Sequence, residues 1–558
     1  MKITKMNVFT KFVTALFLIT SLSSTSPAIA ADAFVYTDFA ANDFGLWSQS
    51  SIYGQDQKGS AKLEDWKQLW CTGWDDPSCS VYDNLFADLI LSACADDADR
   101  ACLESVEAKN SRGELEKLSF FGEASTQKIA KFKFKSGNEL VDIPAGGGLS
   151  VWKSSEKNLD GSDRYFAAHI LLRYIATSAK SSGTSNDKIV LSDFKGQVYP
   201  VKIIDSATCK EFSIGSKCIQ STNFVGSEKI AVSLRMNKDL TGWIFGRMQS
   251  AEFSVAPIDT SFNKIRIAGD VTLVPELAAK VAKSDIAKDA KLEAYLRDFF
   301  TYGRRTVSVP NPGSGSFNDG SIGGNQSTTY DGFLSAQTTT RLLSANFDKF
   351  ALFAAFEDQL KPFSPPASNN GRNILRETNS IFWNFGASSY VGSNTCSADK
   401  SKLHGLVVTN APIYDNGPPE FKDGSLNYKV AGIHNNLDGS VFKGRYTYIV
   451  QSGTARCYYG FSNAPIEARV EVVSADSSAQ IATVLVSERD GFIKLQADNF
   501  TFSSPTIKVK FTQDNVQPAT TATKSAPKKN TTITCIKGKT SKKITGVNPK
   551  CPAGYKKK

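Results

Sequence analysis

The sequence predicts a mainly β protein (α+β overall) of several domains, with a helical insertion, a C-terminal immunoglobulin-like antiparallel β-sandwich and a small basic disulfide hairpin tail. Three observations support this prediction. The chain has 558 residues, which is too long for a single hydrophobic core. Its hydrophobic content of 41% and aromatic content of 11% are typical of folded chains. Its C-terminal part contains a dense series of short segments in which apolar and polar residues alternate, as they do in strands.

Residues 1–30 have the features of a signal peptide. Lys2, Lys5 and Lys11 give a positive start, and the apolar run FVTALFLITSL follows. Ala28 and Ala30 are the small residues of a cleavage site. The run is too short to span a membrane comfortably, and no later segment reaches about 18 uninterrupted apolar residues. We therefore predict a secreted, extracellular protein without a transmembrane segment. A buried N-terminal helix is the alternative.

Residues 31–255 are predicted to form an N-terminal mixed α/β domain. Within it, VYDNLFADLILSACADDADRACLESVEA is interpreted as a helix, an acidic turn and a further helical turn. Asp96, Asp97 and Asp99 lie together in that turn. Clustered carboxylates suit calcium, but the spacing lacks the glycine-containing pattern of a calcium loop. A solvated acidic turn is therefore the interpretation that we favour.

Residues 256–389 are predicted to be a β plus helical segment with a Gly/Ser-rich loop. NKIRIAGDVTLVP alternates as a strand does. PELAAKVAKSDIAKDAKLEAYLRDFF and LLSANFDKFALFAAFEDQLKPF have apolar residues at three- and four-residue spacing and predict helices. Between them, VPNPGSGSFNDGSIGGNQSTTYDG lacks phosphate-loop spacing, which indicates a surface loop.

Residues 390–513 are predicted to form the β-sandwich domain. Seven strand candidates occur there: SLNYKVAGI, GRYTYIVQS, ARCYYGFS, EARVEVVS, IATVLVSE, GFIKLQAD and TIKVKFT. This density of strands separated by turns is typical of an immunoglobulin-like sandwich. The pentapeptide NLDGS occurs at 158–162 and again at 436–440. Since Asp-Gly is a turn signal, both copies are predicted to be turns rather than marks of a domain repeat.

Residues 514–533 are predicted to be a disordered linker and residues 534–558 a basic, disulfide-closed tail. The linker is rich in Thr, Ala, Pro and Lys and cannot bury enough apolar surface to fold. TTITCIKGKTSKKITGVNPKC then alternates apolar and polar residues around glycines. We predict a two-stranded hairpin that depends on a disulfide, which is worth about 3 kcal/mol in the chain-entropy model.

Charge is distributed very unevenly along the chain. The formal net charge is +10. Eleven lysines lie at position 524 or beyond and three lie in residues 1–30, and neither segment contains an acid. Subtracting these fourteen charges from +10 leaves residues 31–523 with a net charge of −4. The body is therefore mildly acidic, and the whole positive balance lies in the tail.

The tail lysines are the candidate polyanion-binding residues. Clustered lysines suit phosphate-rich or carboxylate-rich polymers, which outside a cell are wall polymers, anionic lipids or free nucleic acid. With Tyr555 as its one aromatic residue, the tail has no stacking platform for bases, so specific nucleic-acid binding is not predicted. The candidates are Lys537, Lys539, Lys542, Lys543, Lys550, Lys556, Lys557 and Lys558. The alternative is that they only keep the tail solvated.

The cysteines predict a set of disulfides. Their number, 10, is even, and export would place them in an oxidising compartment. No C-x-x-C occurs, which disfavours a thioredoxin-like site and a zinc ribbon. Proximity along the chain suggests these pairs: Cys71 with Cys79, Cys94 with Cys102, Cys209 with Cys218, Cys396 with Cys457 and Cys535 with Cys551.

The C-terminal part of the chain resembles a known group of proteins. The residues that carry the resemblance are LNYKVAGIHNNLDGSVFKGRYTYIVQSGTARCYYGFSNAPIEARVEVV, GFIKLQADNFTFSSPTIKVKF and the ending TCIKGK…VNPKCPAGYKKK. Over roughly residues 400 to 558, the sequence is similar to secreted actinobacterial proteins of unknown function that share a β-rich C-terminal domain and a Lys-rich two-cysteine tail. The resemblance implies an exported, cell-surface-associated protein. It implies no catalytic residues.

No motif in the sequence identifies a reaction, a cofactor or a metal site. The chain has no G-x-S-x-G, no H-E-x-x-H and no glycine-rich phosphate loop. Its histidines, His169, His404 and His434, are scattered, which disfavours a catalytic triad or a zinc site. Paired carboxylates leave no local signature, so a glycoside hydrolase stays open.

Three functions from different classes therefore remain. The first is a non-catalytic extracellular binding or structural protein that the Lys-rich tail tethers to an anionic cell-wall or surface polymer. The second is a secreted hydrolase of polysaccharide or peptidoglycan that uses paired carboxylates. The third is a carrier or sensor of small ligands. A cleft with converging carboxylates would favour the second, and an enclosed apolar pocket the third.

Overall fold

The fold is that of a computed structural model. The structure describes residues 34–39, 50–56, 67–71, 76, 84–126, 143–144, 146–177, 188–205, 209, 212–282, 285, 288–292, 350, 374–388, 395–397, 399, 402–415, 417–436, 438–462, 467–473, 479–481, 483–502, 506–512, 531–546 and 549–558. The predicted signal peptide, the Gly/Ser-rich loop and residues 514–530 of the predicted linker lie outside these residues. The end of the first predicted helix, residues 293–300, and most of the second predicted helix also lie outside them.

Strands dominate the described residues, which confirms the prediction of a mainly β chain. The first nine are β1 (Phe34–Phe39), β2 (Ser51–Asp56), β3 (Lys67–Cys71), β4 (Asn84–Ile90), β5 (Cys102–Lys109), β6 (Leu115–Lys117), β7 (Ser119–Thr126), β8 (Leu149–Lys157) and β9 (Asp163–Thr177). The next eight are β10 (Lys188–Asp205), β11 (Phe212–Ile214), β12 (Lys217–Ser221), β13 (Lys229–Asn237), β14 (Gly242–Arg247), β15 (Gln249–Pro257), β16 (Phe262–Asp270) and β17 (Thr272–Ala282).

The remaining strands follow residue 373. They are β18 (Ile374–Phe382), β19 (Asn384–Ser388), β20 (Leu403–Thr409), β21 (Ile413–Tyr414), β22 (Glu420–Lys422), β23 (Ser425–Ala431), β24 (Lys443–Gln451), β25 (Glu467–Val473), β26 (Ala479–Ile481), β27 (Thr483–Arg489), β28 (Phe492–Thr501), β29 (Thr506–Thr512), β30 (Thr531–Lys537), β31 (Thr540–Gly546) and β32 (Lys556–Lys557). The helical elements with defined bounds are α1 (Ser452–Tyr459) and the 3-10 helix Thr395–Ser397.

The described strands form five sheets. The largest has fifteen strands in the order β27-β28-β24-β20-β14-β19-β10-β12-β11-β7-β8-β9-β4-β2-β3. A six-stranded sheet has the order β21-β23-β29-β25-β26, with β22 paired to β23, and a five-stranded sheet has the order β15-β16-β13-β5-β6. The two smallest sheets are β1-β17-β18 and β31-β30-β32. The fifteen-stranded sheet thus draws strands from the regions 31–255, 256–389 and 390–513; these predicted domain boundaries stay a prediction.

Part of the large sheet closes on itself. β10 pairs with β9 as well as with β12, so six strands form a closed barrel in the order β9-β10-β12-β11-β7-β8. The two long strands, β9 with 15 residues and β10 with 18, belong both to this barrel ring and to the open part of the sheet. A small apolar cluster that includes Leu149, Val151 and Phe212 fills the ring.

Two larger hydrophobic cores hold the sheets together. The first lies beneath the open part of the large sheet and the five-stranded sheet, where Leu172, Val232 and Trp383 are buried. The second contains apolar residues of β20, β24 and β28 on one side and of β23, β25 and β29 on the other, including Tyr448 and Val509. Its two facing sheets make a sandwich-like unit, and the immunoglobulin-like character stays a prediction.

A group of four buried charged residues crosses three neighbouring strands of the large sheet, β4, β9 and β10. Arg173 of β9 lies directly opposite Asp88 of β4 and Asp193 of β10. The Arg173 Nη2 donates to Asp88 Oδ2 at 2.7 Å, and Nε donates to the other carboxylate oxygen. Lys195 Nζ lies 2.6 Å from Asp193 Oδ2. All four side chains are buried, so this part of the sheet depends on their mutual neutralisation.

Four segments differ from their predicted secondary structure. The predicted helical turn at CLESVEA is β5, because its backbone pairs with β13 on one side and β6 on the other. The predicted helix at NLFADLI is β4, because both of its faces are covered and its backbone pairs with β2 and β9. Residues 275–282, the start of another predicted helix, belong to β17, which pairs with β1 and β18 on both sides. Residues 290–292, later in that segment, are helical.

The fourth difference is the predicted strand ARCYYGFS. It lies mostly in α1, which packs Ala455 and Tyr458 into the second core. Gly460 ends the helix in the left-handed conformation, with φ of 64°, and its N–H bonds to the carbonyls of Arg456 and Cys457. A helix is favoured here because a left-handed glycine satisfies the carbonyls of the last turn.

Both copies of NLDGS form the same turn, as predicted. In each, the asparagine Nδ2 donates to the serine Oγ, at 3.0 Å for Asn158 and 2.8 Å for Asn436. The serine N–H in turn donates to the aspartate carboxylate, at 3.0 Å in the first copy and 2.8 Å in the second. Gly161 and Gly439 have φ of 80° and 84°, a conformation that glycine adopts without strain. The local sequence therefore specifies this turn in two different surroundings.

The predicted disulfides are confirmed where both partners are described. The pairs are Cys94–Cys102, Cys209–Cys218, Cys396–Cys457 and Cys535–Cys551. Cys71 is also disulfide-bonded, while its predicted partner Cys79 lies outside the described residues. None of the helices in the described parts of the chain is long and apolar enough to cross a membrane.

Candidate functional site

The basic tail folds as a small three-stranded sheet. β30 pairs with β31 over seven residue pairs and with β32 over two. The Thr and Ile content of β30 suits a strand, and Gly538, with φ of 59°, begins the two-residue turn to β31. β30 begins at Thr531, three residues inside the predicted linker. The predicted hairpin is thus confirmed and extended by a third strand.

The disulfide supplies most of the tail's interior. Cys535, at the centre of the middle strand, is fully buried, and Ile533 beside it is nearly so. The link to Cys551, with 5.6 Å between the Cα atoms, holds residues 549–555 against this side of the sheet. Lys558 N–H donates to the Thr534 carbonyl at 2.9 Å and fixes the C-terminus to the middle strand.

The structure places all eight candidate lysines on this one small module. Each of them is exposed. None forms an ion pair within the part of the chain that the structure describes, and residues 531–558 contain no acid that could neutralise them. Because unpaired ammonium groups in one place create a strong local positive potential, the tail is suited to bind a polyanion.

A second candidate site, the Arg164 groove, lies on the body. It has a volume of about 640 Å³. Its lining includes residues from three segments that connect strands and meet there: 110–114, 158–162 and 222–228. Leu159, at the tip of the first NLDGS turn, is 101% exposed, and Val225 on another segment is 74% exposed. The sequence does not predict this site, because its residues come from three distant segments. The first NLDGS turn was the one local signal.

Charged groups organise the groove around a central arginine. Arg164 Nη1 donates to the Lys109 carbonyl at 3.0 Å, and its Nη2 donates to Glu228 Oε2. Glu156 Oε2 lies 3.7 Å from Nη1. The guanidinium also covers the ring of Phe166, 5.0 Å from its centroid. The arginine thus sits between two carboxylates and an aromatic ring.

The two glutamates have opposite pKa shifts. Hydrogen bonds from the Ser111 hydroxyl and N–H, at 2.6 and 2.8 Å, lower the pKa of Glu156 because they stabilise its charged form. Burial raises the pKa of Glu228, and Arg164 opposes this shift. One carboxyl is therefore held ionised while its neighbour takes up a proton more readily.

The histidines do not form a site together. His169 is buried on β9 with its ring 5.9 Å from that of Phe212. His404 lies on β20, where burial lowers its pKa and its ring nitrogens contact Thr454 Oγ1 at 3.1 Å and the Asp399 carbonyl at 3.0 Å. His434 is exposed. The described residues contain no group of three or more His, Cys, Asp or Glu side chains that could hold a metal ion.

The acidic turn is organised by an arginine. Arg235 Nη1 donates to the carbonyls of Asp97 and Asp99, both at 2.9 Å. The carboxylate of Asp99 accepts from the Ala95 N–H, at 2.5 Å, within the same turn. The turn's own oxygens thus accept hydrogen bonds from the protein.

The chain matches no protein-family model, no curated protein and no solved structure.

Proposed function

We propose that the protein is a secreted, cell-surface-associated binding protein that its basic tail tethers to anionic wall polymers. The observation that carries this proposal is the tail module, on which eight exposed lysines without acidic partners surround a buried disulfide. The body that precedes it carries a net charge of −4. Attraction to a polyanion should therefore depend on the tail alone.

Truncation after Gln513 should abolish retention on purified wall fragments while the body stays folded. The tail forms a sheet of its own, so its removal takes no strand from the other sheets. Retention of the full chain should also fall steeply with salt, because exposed charges are screened over about 8 Å at physiological ionic strength. The measurement is a pull-down at low and high salt, with disulfide content and circular dichroism as checks of folding.

A matched pair of variants tests whether wall binding depends on the lysines of the tail or only on the total charge of the chain. Lys537, Lys539, Lys542 and Lys543 are replaced by Gln in the first variant. Four exposed body lysines, Lys422, Lys429, Lys443 and Lys510, are replaced by Gln in the second. Both variants lose four positive charges, but only the first should detach from the wall. Equal retention of both variants and of the truncated chain, unaffected by salt, would leave the tail as a solubilising appendage.

The Arg164 groove favours a second candidate function, the hydrolysis of a wall glycan. Glu156 and Glu228 lie on either side of Arg164, and their pKa shifts are opposite, as in pairs that divide the roles of base and acid. Under this candidate, the native protein releases reducing sugar from purified peptidoglycan. Glu156→Gln and Glu228→Gln should each reduce that release by at least about 100-fold, and Glu420→Gln, at an exposed position of β22 outside the groove, should not. No release by the native protein would eliminate this candidate.

A further inference from the structure

Six of the eight candidate lysines divide evenly between the two faces of the tail sheet. Residues directly opposite each other in an antiparallel pair point to the same side of the sheet. Lys542 of β31 and Lys557 of β32 both lie opposite Cys535, and Lys537 follows Cys535 by two residues on β30. These three lysines therefore lie on the side of the sheet that carries the disulfide, which we call the disulfide face. Lys543 lies opposite Thr534 on the other side of the sheet.

That other side is the open face. Lys556 lies opposite Ile536, and Lys558, two residues beyond, shares its side because side chains alternate along a strand. The open face thus also carries three lysines, beside the hydroxyls of Thr534 and Ser541. The loop that the disulfide holds covers part of the disulfide face, yet Lys537, Lys542 and Lys557 remain exposed.

We propose, resting on the tail's polyanion binding, that the partner is a flexible linear polyanion that contacts both faces of the tail at once. A flat anionic surface, such as a lipid bilayer, reaches one face of a thin sheet and leaves the three lysines of the other face in water. A flexible polymer carrying phosphate or carboxylate groups can pass around the exposed edge of β31 and reach all six. The even division of charge therefore favours an enclosing polymer over a plane.

The experiment compares two triple variants of the full-length chain with equal loss of charge. The open-face variant is Lys543→Gln, Lys556→Gln and Lys558→Gln. The disulfide-face variant is Lys537→Gln, Lys542→Gln and Lys557→Gln. Binding is measured to linear polyphosphate and to vesicles of phosphatidylglycerol and phosphatidylcholine over a range of salt concentrations. Thiol labelling checks that the Cys535–Cys551 disulfide stays formed.

On polyphosphate, both variants should lower the slope of log affinity against log salt by about 2, since each lysine contributes about 0.7 on a single-stranded polyanion. The native chain should bind polyphosphate more tightly than the vesicles. If only one variant lost affinity for polyphosphate, or if the native chain bound vesicles more tightly than polyphosphate, the inference of an enclosing polymer would be overturned. The tail would then still be a polyanion-binding module. Failure of the native chain to bind either material would overturn both the inference and the proposed function.

Discussion

Arg173→Met should lower the free energy of unfolding by about 3–5 kcal/mol, the usual effect of leaving one partner of a buried ion pair uncompensated. Arg173 and Asp88 have side chains that are 5% and 7% exposed. The substitution removes the guanidinium that bonds both oxygens of the carboxylate. It also takes away the cation directly opposite Asp193. Urea unfolding followed by tryptophan fluorescence measures the change.

A surface pair provides the matched control. Arg112 and Glu114 form an ion pair at 3.1 Å with side chains that are 78% and 66% exposed. Arg112→Met makes the same chemical change there, and we expect a loss of at most about 1 kcal/mol because water screens both charges. Similar losses in the two variants would show that the Asp88–Arg173 pair is not buried in solution.

The destabilisation by Arg173→Met should also depend on pH. Burial raises the pKa of Asp88, and Arg173 opposes that shift. Without the arginine, the pKa rises further, so the folded state binds a proton more readily than the unfolded state does. Stability of the variant should therefore recover as the pH falls from neutrality toward about 4, the ordinary range of an aspartate.

Gly405→Ala should lower the free energy of unfolding by about 3 kcal/mol, since overpacking against a backbone atom cannot be relieved by a rotamer change. An added Cβ would lie 2.0 Å from the Ile449 carbonyl oxygen and 2.8 Å from the Trp243 ring. Trp243 is fully buried and stacks on Tyr448, with 5.7 Å between the ring centroids. The strands β14, β20 and β24 would have to separate to admit a methyl group.

Gly453→Ala is the control for this substitution. Gly453 lies in α1, and an added Cβ there has no heavy atom within 4 Å. Alanine is favoured over glycine in helices by roughly 0.5–1 kcal/mol, so this variant should be as stable as the native chain or more so. The same urea measurement applies. Equal unfolding midpoints for Gly405→Ala and the native chain would contradict the close packing of these three strands.

Local patterns predicted those parts of the fold that depend on local interactions. Six of the seven strand candidates in 390–513 coincide with strands. They were predictable because a strand with one covered face has alternating apolar and polar side chains. The tail hairpin and the two NLDGS turns were predictable for the same reason. The exception, ARCYYGFS, shows the limit. Its Gly460 is a helix-ending signal, but the aromatic residues before it favour a strand.

Other features depend on partners far away in the sequence. NLFADLI is apolar on both faces, and this pattern fits a buried strand and a buried helix equally well. Only its pairing with β2 and β9 decides between them. The eight tail lysines were predictable because they are close together in the chain. The Arg164 groove was not, because Glu156 and Glu228 meet only after three separate segments fold.

The position of β14 has a consequence for the order in which the chain can fold during synthesis. Its two neighbours in the sheet, β19 and β20, are made of residues 384–388 and 403–409. When residues 242–247 leave the ribosome, both partners are still unmade, and neither edge of β14 can be satisfied. Pairings of such long sequence separation form slowly. β14 should therefore stay unpaired until residues 384–409 have been made, whereas the six-stranded barrel and the five-stranded sheet contain only strands from residues 102–270 and can form earlier.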